Sequence, residues 1–133
     1  SLPDYNRLIA SVSGTMRLAH GANGSEKLVL PRSTVYAFDG GIQTHCVGKA
    51  RDLNLMLRKG AAEGELVFVD SGTELDLEPA ANETMLLFEL ESGNAALCAG
   101  GNARLRCTAN GQCALFTVRL VGEAIPDSDN RNG

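Results

Sequence analysis

Several things are scarce in this sequence, and each scarcity removes a class of function. Histidine occurs only as His20 and His45, well apart, and there is no His-x-His, Cys-x-x-Cys or His-Glu-x-x-His spacing, so no structural or catalytic metal is expected. Gly-x-Ser-x-Gly and the phosphate-binding loops G-x-x-x-x-G-K-S/T and G-x-G-x-x-G are also missing, which removes the usual signatures of a serine nucleophile and of a nucleotide site. Basic residues number 12 against 16 acidic ones, a net charge of −4, and that balance argues against nucleic acid, whose binding needs a basic face. No apolar run approaches the roughly 20 residues that span a bilayer, so no membrane association is expected. No signal-peptide pattern is present, and the cytoplasm is the expected compartment. The chain opens on Ser1 rather than Met, as a processed or trimmed form would. Tryptophan is absent and aromatics are only 5%.

What the sequence does contain is glycine, 15 residues of it, falling with Asn between short apolar runs as closely spaced turns require. At 133 residues the chain suits a single ordinary domain, with a hydrophobic fraction of 44% that is ample for a core. Alternation with period two dominates. Leu8, Ala10 and Val12 alternate with Ile9, Ser11 and Ser13; Met16 and Leu18 oppose Thr15 and Arg17; Asn23-Gly24 signals a hairpin before Lys27–Leu30. The pattern recurs in Glu74–Glu78, Leu86–Glu91, around Leu97, in Ala103–Cys107 and in Cys113–Val121. Short strands at even spacing predict an all-β sandwich or barrel. Asp127–Gly133 is expected to fray. Cys46, Cys98, Cys107 and Cys113 are expected to be reduced, small apolar core residues.

The segment Arg51–Arg58 is ambiguous on periodicity alone. As a helix, Asp52 would cap it, Arg58 and Lys59 would suit its last turn, and Gly60 would end it. As a strand, it puts Leu53, Leu55 and Leu57 on one face and Asp52, Asn54, Met56 and Arg58 on the other. In a barrel the leucine side would pack against a second layer and the mixed side would line a closed interior, where buried Asp and Asn need partners or a ligand. For an antiparallel strand the commoner arrangement is a polar face that simply meets water. His45 reads as an ordinary strand histidine, pointing away from its neighbour Cys46; Asp39 fits a tight turn in Phe38-Asp39-Gly40-Gly41; Arg7 fits the surface. Residues 1–59 hold eight basic and four acidic groups, a surplus of +4, whereas residues 60–133 carry −8, so an anion is better received by the first half.

Tyr36-Ala37-Phe38-Asp39-Gly40, Thr44-His45-Cys46 and above all Arg51-Asp52-Leu53-Asn54-Leu55-Met56-Leu57-Arg58 resemble the HutD/Ves family of bacterial proteins. The segment Pro3-Asp4-Tyr5-Asn6-Arg7 and Gly14 fit the same pattern, and the match spans residues 3–60, continuing beyond as strand spacing. The resemblance implies a cupin-like double-stranded β-helix arranged as a bicupin, with a first half at 1–62, a second at 63–124 and a flexible tail at 125–133. It tips Arg51–Arg58 to a strand. Leu53 stands where the family has Phe, Lys49-Ala50 replaces Gly-Pro, and an upstream segment with a Trp has no counterpart before Ser1, so N-terminal strands of the first barrel are expected to be missing.

The resemblance further implies a metal-free, non-enzymatic protein without a cofactor, which modulates histidine utilisation by binding a small anionic metabolite such as urocanate or formylglutamate. In that role Arg7, Arg51 or Arg58 would hold a carboxylate, Asp52 and Asn54 would supply directed hydrogen bonds, and Met56 with Phe38 would form an apolar wall, with Asp39 and His45 beside them. One alternative is a metal-free isomerase or lyase acting on a small acid, with Asp52, raised by burial beside Asn54, or His45 as general base. Another is a stress-related scaffold whose edge strands form a homodimer.

Overall fold

A computed structural model describes residues 1–122 of the chain. The tail expected at 125–133 lies outside the described residues. Among them every regular element is a strand, as the alternating sequence predicts. The fold is all-β and built from antiparallel sheets. The chain forms two compact units, Ser1–Lys59 and Gly60–Gly133, the second described as far as Gly122.

The first unit holds β1 (Tyr5–Ser13), β2 (Met16–His20), β3 (Glu26–Leu30), β4 (Val35–Asp39), β5 (Thr44–Val47) and β6 (Arg51–Arg58). They make two three-stranded sheets in the orders β4-β1-β6 and β3-β2-β5. Hydrophobic side chains from both sheets meet in one core: Ile9, Met16, Leu18, Leu30 and Phe38, flanked by Leu28, Tyr36 and Ala50. Because cross-strand partners share a face, the pairs Arg7↔Phe38, Ile9↔Tyr36, Arg7↔Met56, Ile9↔Asn54 and Ser11↔Asp52 put all these residues on the side of the sheet that carries this core. The sheet is apolar on its other side too, where Ala10 of β1 and Leu57 of β6 are buried. That explains why β1 runs apolar through Leu8, Ile9 and Ala10 rather than alternating cleanly.

Arg51–Arg58 is a strand and not a two-turn helix. Its whole length pairs with β1, from Tyr5↔Arg58 to Ser13↔Arg51, and a helix of eight residues would have had no comparable partner. The register shifts between Ser11 and Ser13. Ser11, fully buried at this bulge, satisfies its hydroxyl by donating to the carbonyls of Ser13 (3.1 Å) and Gly14 (2.7 Å).

The second unit holds β7 (Ala62–Val69), β8 (Glu74–Leu77), β9 (Glu83–Glu89), β10 (Ala95–Ala99), β11 (Leu105–Thr108) and β12 (Cys113–Leu120). Its sheets run β10-β9-β12-β7 and β11-β8, around buried Leu66, Leu77, Leu90, Cys98, Cys113 and Ala114. β12 is flanked by β9 and β7, whereas among the described residues β6 pairs with β1 alone. All four cysteines are free, but only Cys98 and Cys113 are buried. Cys107 is half-buried and Cys46 is exposed, which corrects the expectation of four core thiols. Cys46 misses the core because β5 is an edge strand of its sheet.

The Phe38-Asp39-Gly40-Gly41 turn is as tight as its composition predicts. The Gly40 carbonyl accepts from Leu2 N (2.6 Å) and its N–H donates to the Tyr5 carbonyl (2.8 Å), so the backbone passes with no room for a side chain. A Cβ at Gly40 would lie 2.6 Å from both the Leu2 and the Tyr5 carbonyl oxygens. Gly40→Ala should therefore cost about 1–3 kcal/mol, read from the urea midpoint of the purified chain. In the second unit Arg104 grips Asp76 through Nε (2.8 Å) and Nη2 (2.7 Å), and holds the Asp76 carboxyl down from 3.8 to about 2. A carboxyl depressed on folding stabilises the fold above its ordinary range and loses that contribution as pH falls through the folded value. The gap in urea midpoint between wild type and Asp76→Asn should accordingly hold from neutral pH down to about 4 and close between about 4 and 2.

Candidate functional site

The site grows from an aromatic cluster inside the first unit. Tyr36 and Phe38, two apart on β4, project to the same face and stack with centroids 5.4 Å apart. His20, at the end of β2, packs on both rings at 5.7 and 5.2 Å. Only 3% of His20 is exposed, yet both its nitrogens are matched. Nδ1 lies 2.7 Å from Thr44 Oγ1 and Nε2 lies 2.8 Å from the Tyr36 hydroxyl. Thr44 Oγ1 donates to the Ile42 carbonyl at 3.1 Å, so it accepts from His20 Nδ1–H, and Nε2 is left to accept from Tyr36. The two hydrogen bonds together fix the imidazole plane against Phe38.

Arg7 lies on the other side of that ring. Its guanidinium carbon is 5.0 Å from the Phe38 centroid, a cation–π contact, and its Nε is buried without a hydrogen-bond partner among the described residues. Next to Arg7 on the same face come Met56 and Asn54 from β6, then Asp52, with Arg58 at the far end held 5.9 Å over the Tyr5 ring and 3.4 Å from its hydroxyl. Cys46 of β5, paired with Leu18 of β2, lies on the same face of its sheet as Leu18, at its exposed edge. Its thiol is pushed up, first by desolvation and then by the Asp52 carboxylate, against a smaller opposing pull from Arg7.

The structure therefore brings Arg7, Phe38, Asp52, Asn54, Met56 and Arg58 onto one face, and not the other three candidates. Arg51 alternates to the leucine side of β6, so it cannot join Arg7 on a ligand. His45 points outward from β5, opposite Thr44 and Cys46, and is exposed. Asp39 lies on the side of β4 away from Phe38, where its carboxylate accepts from Gly41 N (2.7 Å) and pairs with Lys59 Nζ (2.8 and 2.9 Å). Lys59 first, and the Gly41 amide second, hold Asp39 below its usual value. The expected closed chamber is also corrected. Asp52, Asn54, Met56 and Arg58 share the core-bearing face but are exposed, Met56 at 49%, because among the described residues β6 is the end strand of its sheet. Burial of Asp52, the premise of a raised general base, is thus not found.

His20, Tyr36 and Thr44 were missed as site residues in the sequence. The signal was present: His20 continues the inward run Met16, Leu18, His20, and a histidine ending such a run needs partners. An open cleft of about 550 Å³ in the second unit, bordered by Glu74, Asp76, Arg106 and Cys107, is a weaker candidate, since Arg104 and Arg106 both lie on Asp76. No group of three or more His, Cys, Asp and Glu among the described residues could hold a metal ion.

Comparison with known proteins agrees with the Arg51–Arg58 motif and extends beyond it. The HutD family model matches residues 1–120. The chain belongs to the HutD family. No curated protein matches this HutD-family chain. Among solved structures it is similar to HutD from Pseudomonas fluorescens SBW25 in a formate condition, at 24% identity and a TM-score of 0.70 over 92% of this chain and 72% of that one. It is also similar to a conserved protein of unknown function from Pseudomonas aeruginosa PAO1, at 28% identity and a TM-score of 0.65 over 90% and 73%. The HutD fold thus accounts for the strand pattern of both units.

Tyr36→Phe removes one donor and leaves buried His20 Nε2 unmatched. It should destabilise the chain by about 1–3 kcal/mol in urea denaturation, more than a surface Tyr→Phe change would.

Proposed function

We propose that this HutD-family chain is a non-enzymatic binder of a small carboxylate, which it takes on the core-bearing face of β4-β1-β6. The observation that carries the reading is Arg7: a guanidinium stacked on Phe38, with a buried Nε that no acceptor among the described residues serves. An unmatched buried donor is costly, and a carboxylate matches a guanidinium in two-pronged geometry. Asn54 and Asp52 offer an amide and an acid to any N–H or C=O on the ligand, and Met56 with Phe38 offers apolar walls, a conventional division of labour in small-molecule sites. The surplus of positive charge in residues 1–59 favours an anion in this unit over the acidic second one. Family membership makes an intermediate of histidine breakdown, urocanate or formylglutamate, the preferred ligand, and restraint of histidine utilisation the preferred role.

Thermal shift with urocanate, formylglutamate and histidine tests this. At about a hundred times its dissociation constant a ligand of the native state adds about 2.7 kcal/mol of stability. Arg7→Ala should weaken binding by roughly ten- to a hundredfold, the loss of one charged hydrogen-bonding group, whereas Arg51→Ala should leave it unchanged because that side chain leaves β6 on the opposite face. Equal losses in the two variants, or no shift with any of the three compounds, would reject the assignment.

A further inference from the structure

We infer that the second unit holds an inward-facing carboxylate site of its own, centred on Arg119 and already filled by Glu83 and Glu63, so that the chain takes one small carboxylate, in the first unit. The inference rests on the ligand reading of Arg7 and adds the stoichiometry. β12 lies between β9 and β7 as β1 lies between β4 and β6. Along β12, Cys113, Leu115, Thr117 and Arg119 alternate onto one face. That face looks towards β11, because Cys113 with Leu87, Glu89 and Ala96 borders a hollow of about 210 Å³ whose far wall is Thr108, Ala109 and Asn110. Arg119 therefore matches Arg7 in placement: each is an arginine near the end of a central strand, on the side that meets the unit's second sheet.

Their neighbours differ. Arg7 is flanked across its sheet by Phe38 and Met56, which carry no carboxylate. Arg119 has Glu83 and Glu63 at the corresponding two positions. Its Nε donates to Glu83 Oε2 at 3.2 Å and its Nη1 to Glu63 Oε1 at 3.4 Å. The atom left over on Arg7, Nε, is thus served on Arg119 by a side chain standing where a ligand carboxylate would. Glu83 is anchored in turn, its Oε1 accepting from Ala80 N at 2.9 Å. That amide first, and Arg119 second, hold the Glu83 carboxyl below its usual range and keep it charged at neutral pH. A carboxylate tethered on the same sheet acts at high effective concentration, so a dilute free acid does not displace it.

Acetate, a carboxylate with little else attached, tests the second unit apart from the first when Arg7→Ala is the background. Adding Glu83→Ala there vacates the Nε side of Arg119. Acetate at about ten times its dissociation constant should then raise the melting temperature by roughly 3–6 °C over sodium chloride of equal ionic strength. Arg7→Ala alone should show no such rise, and Arg119→Ala added to the pair should abolish it. Glu63→Ala, at a more exposed position, gives the same test should Glu83→Ala fail to fold. Calorimetric titration of the wild type with urocanate or formylglutamate should give one site per chain. Two sites in the wild type, a folded variant indifferent to acetate, or an acetate effect that survives Arg119→Ala would each overturn the inference. A wild type that binds neither acid rejects the ligand reading of Arg7 instead, a failure that the acetate arm, run without Arg7, does not share.

Discussion

The contact between the Arg7 guanidinium and the Phe38 ring orders the first unit around itself. A guanidinium half-withdrawn from water needs compensation, and the ring face supplies only part of it. The ring can serve as a platform because its far side is held. His20 packs there with one nitrogen donating to Thr44 and the other accepting from Tyr36, so the imidazole has no freedom to rotate without losing a hydrogen bond. Rigid support on one side and an unmatched donor on the other are what a preorganised binding group requires.

Electrostatics separate the two units as much as their strand orders do. In the second, each described arginine is engaged by acid: Arg104 and Arg106 on Asp76, and Arg119 between Glu63 and Glu83. In the first, Arg7 has no carboxylate partner among the described residues. Exposed ion pairs such as these add little to stability, but they decide where a mobile anion finds uncommitted positive charge.

Much of the fold was readable in the sequence, because alternation with period two and Gly- and Asn-marked turns are local signals. Strands β1 to β3 and β8 to β12 fall where those signals put them, β4 and β7 were not singled out by them, and the strand reading of Arg51–Arg58 assigned Asp52, Asn54, Met56 and Arg58 to one face. Arg51–Arg58 defeated periodicity because Leu53, Met56 and Leu57 also share a helical face; only pairing with β1, a tertiary fact, settles it. Exposure of the mixed face was not readable either, since it depends on which strand ends the sheet. Asp39 looked like a ligand group and is a turn residue tied to Lys59, an ion pair made across 20 positions of chain. His20 was passed over because its partners, Thr44 and Tyr36, are brought to it by two other strands.

β1 has a consequence that reaches beyond the site. Its residues alternate between the aromatic side, with Arg7 and Ile9, and a second buried side with Ala10, which has no accessible surface at all. A strand is a single backbone thick, so whatever displaces it on the Arg7 side displaces it equally on the reverse. Close-packed neighbours of Ala10 cannot absorb that movement by compressing. A shift of the strand on one side is therefore felt on the other, without any relay of intervening side chains.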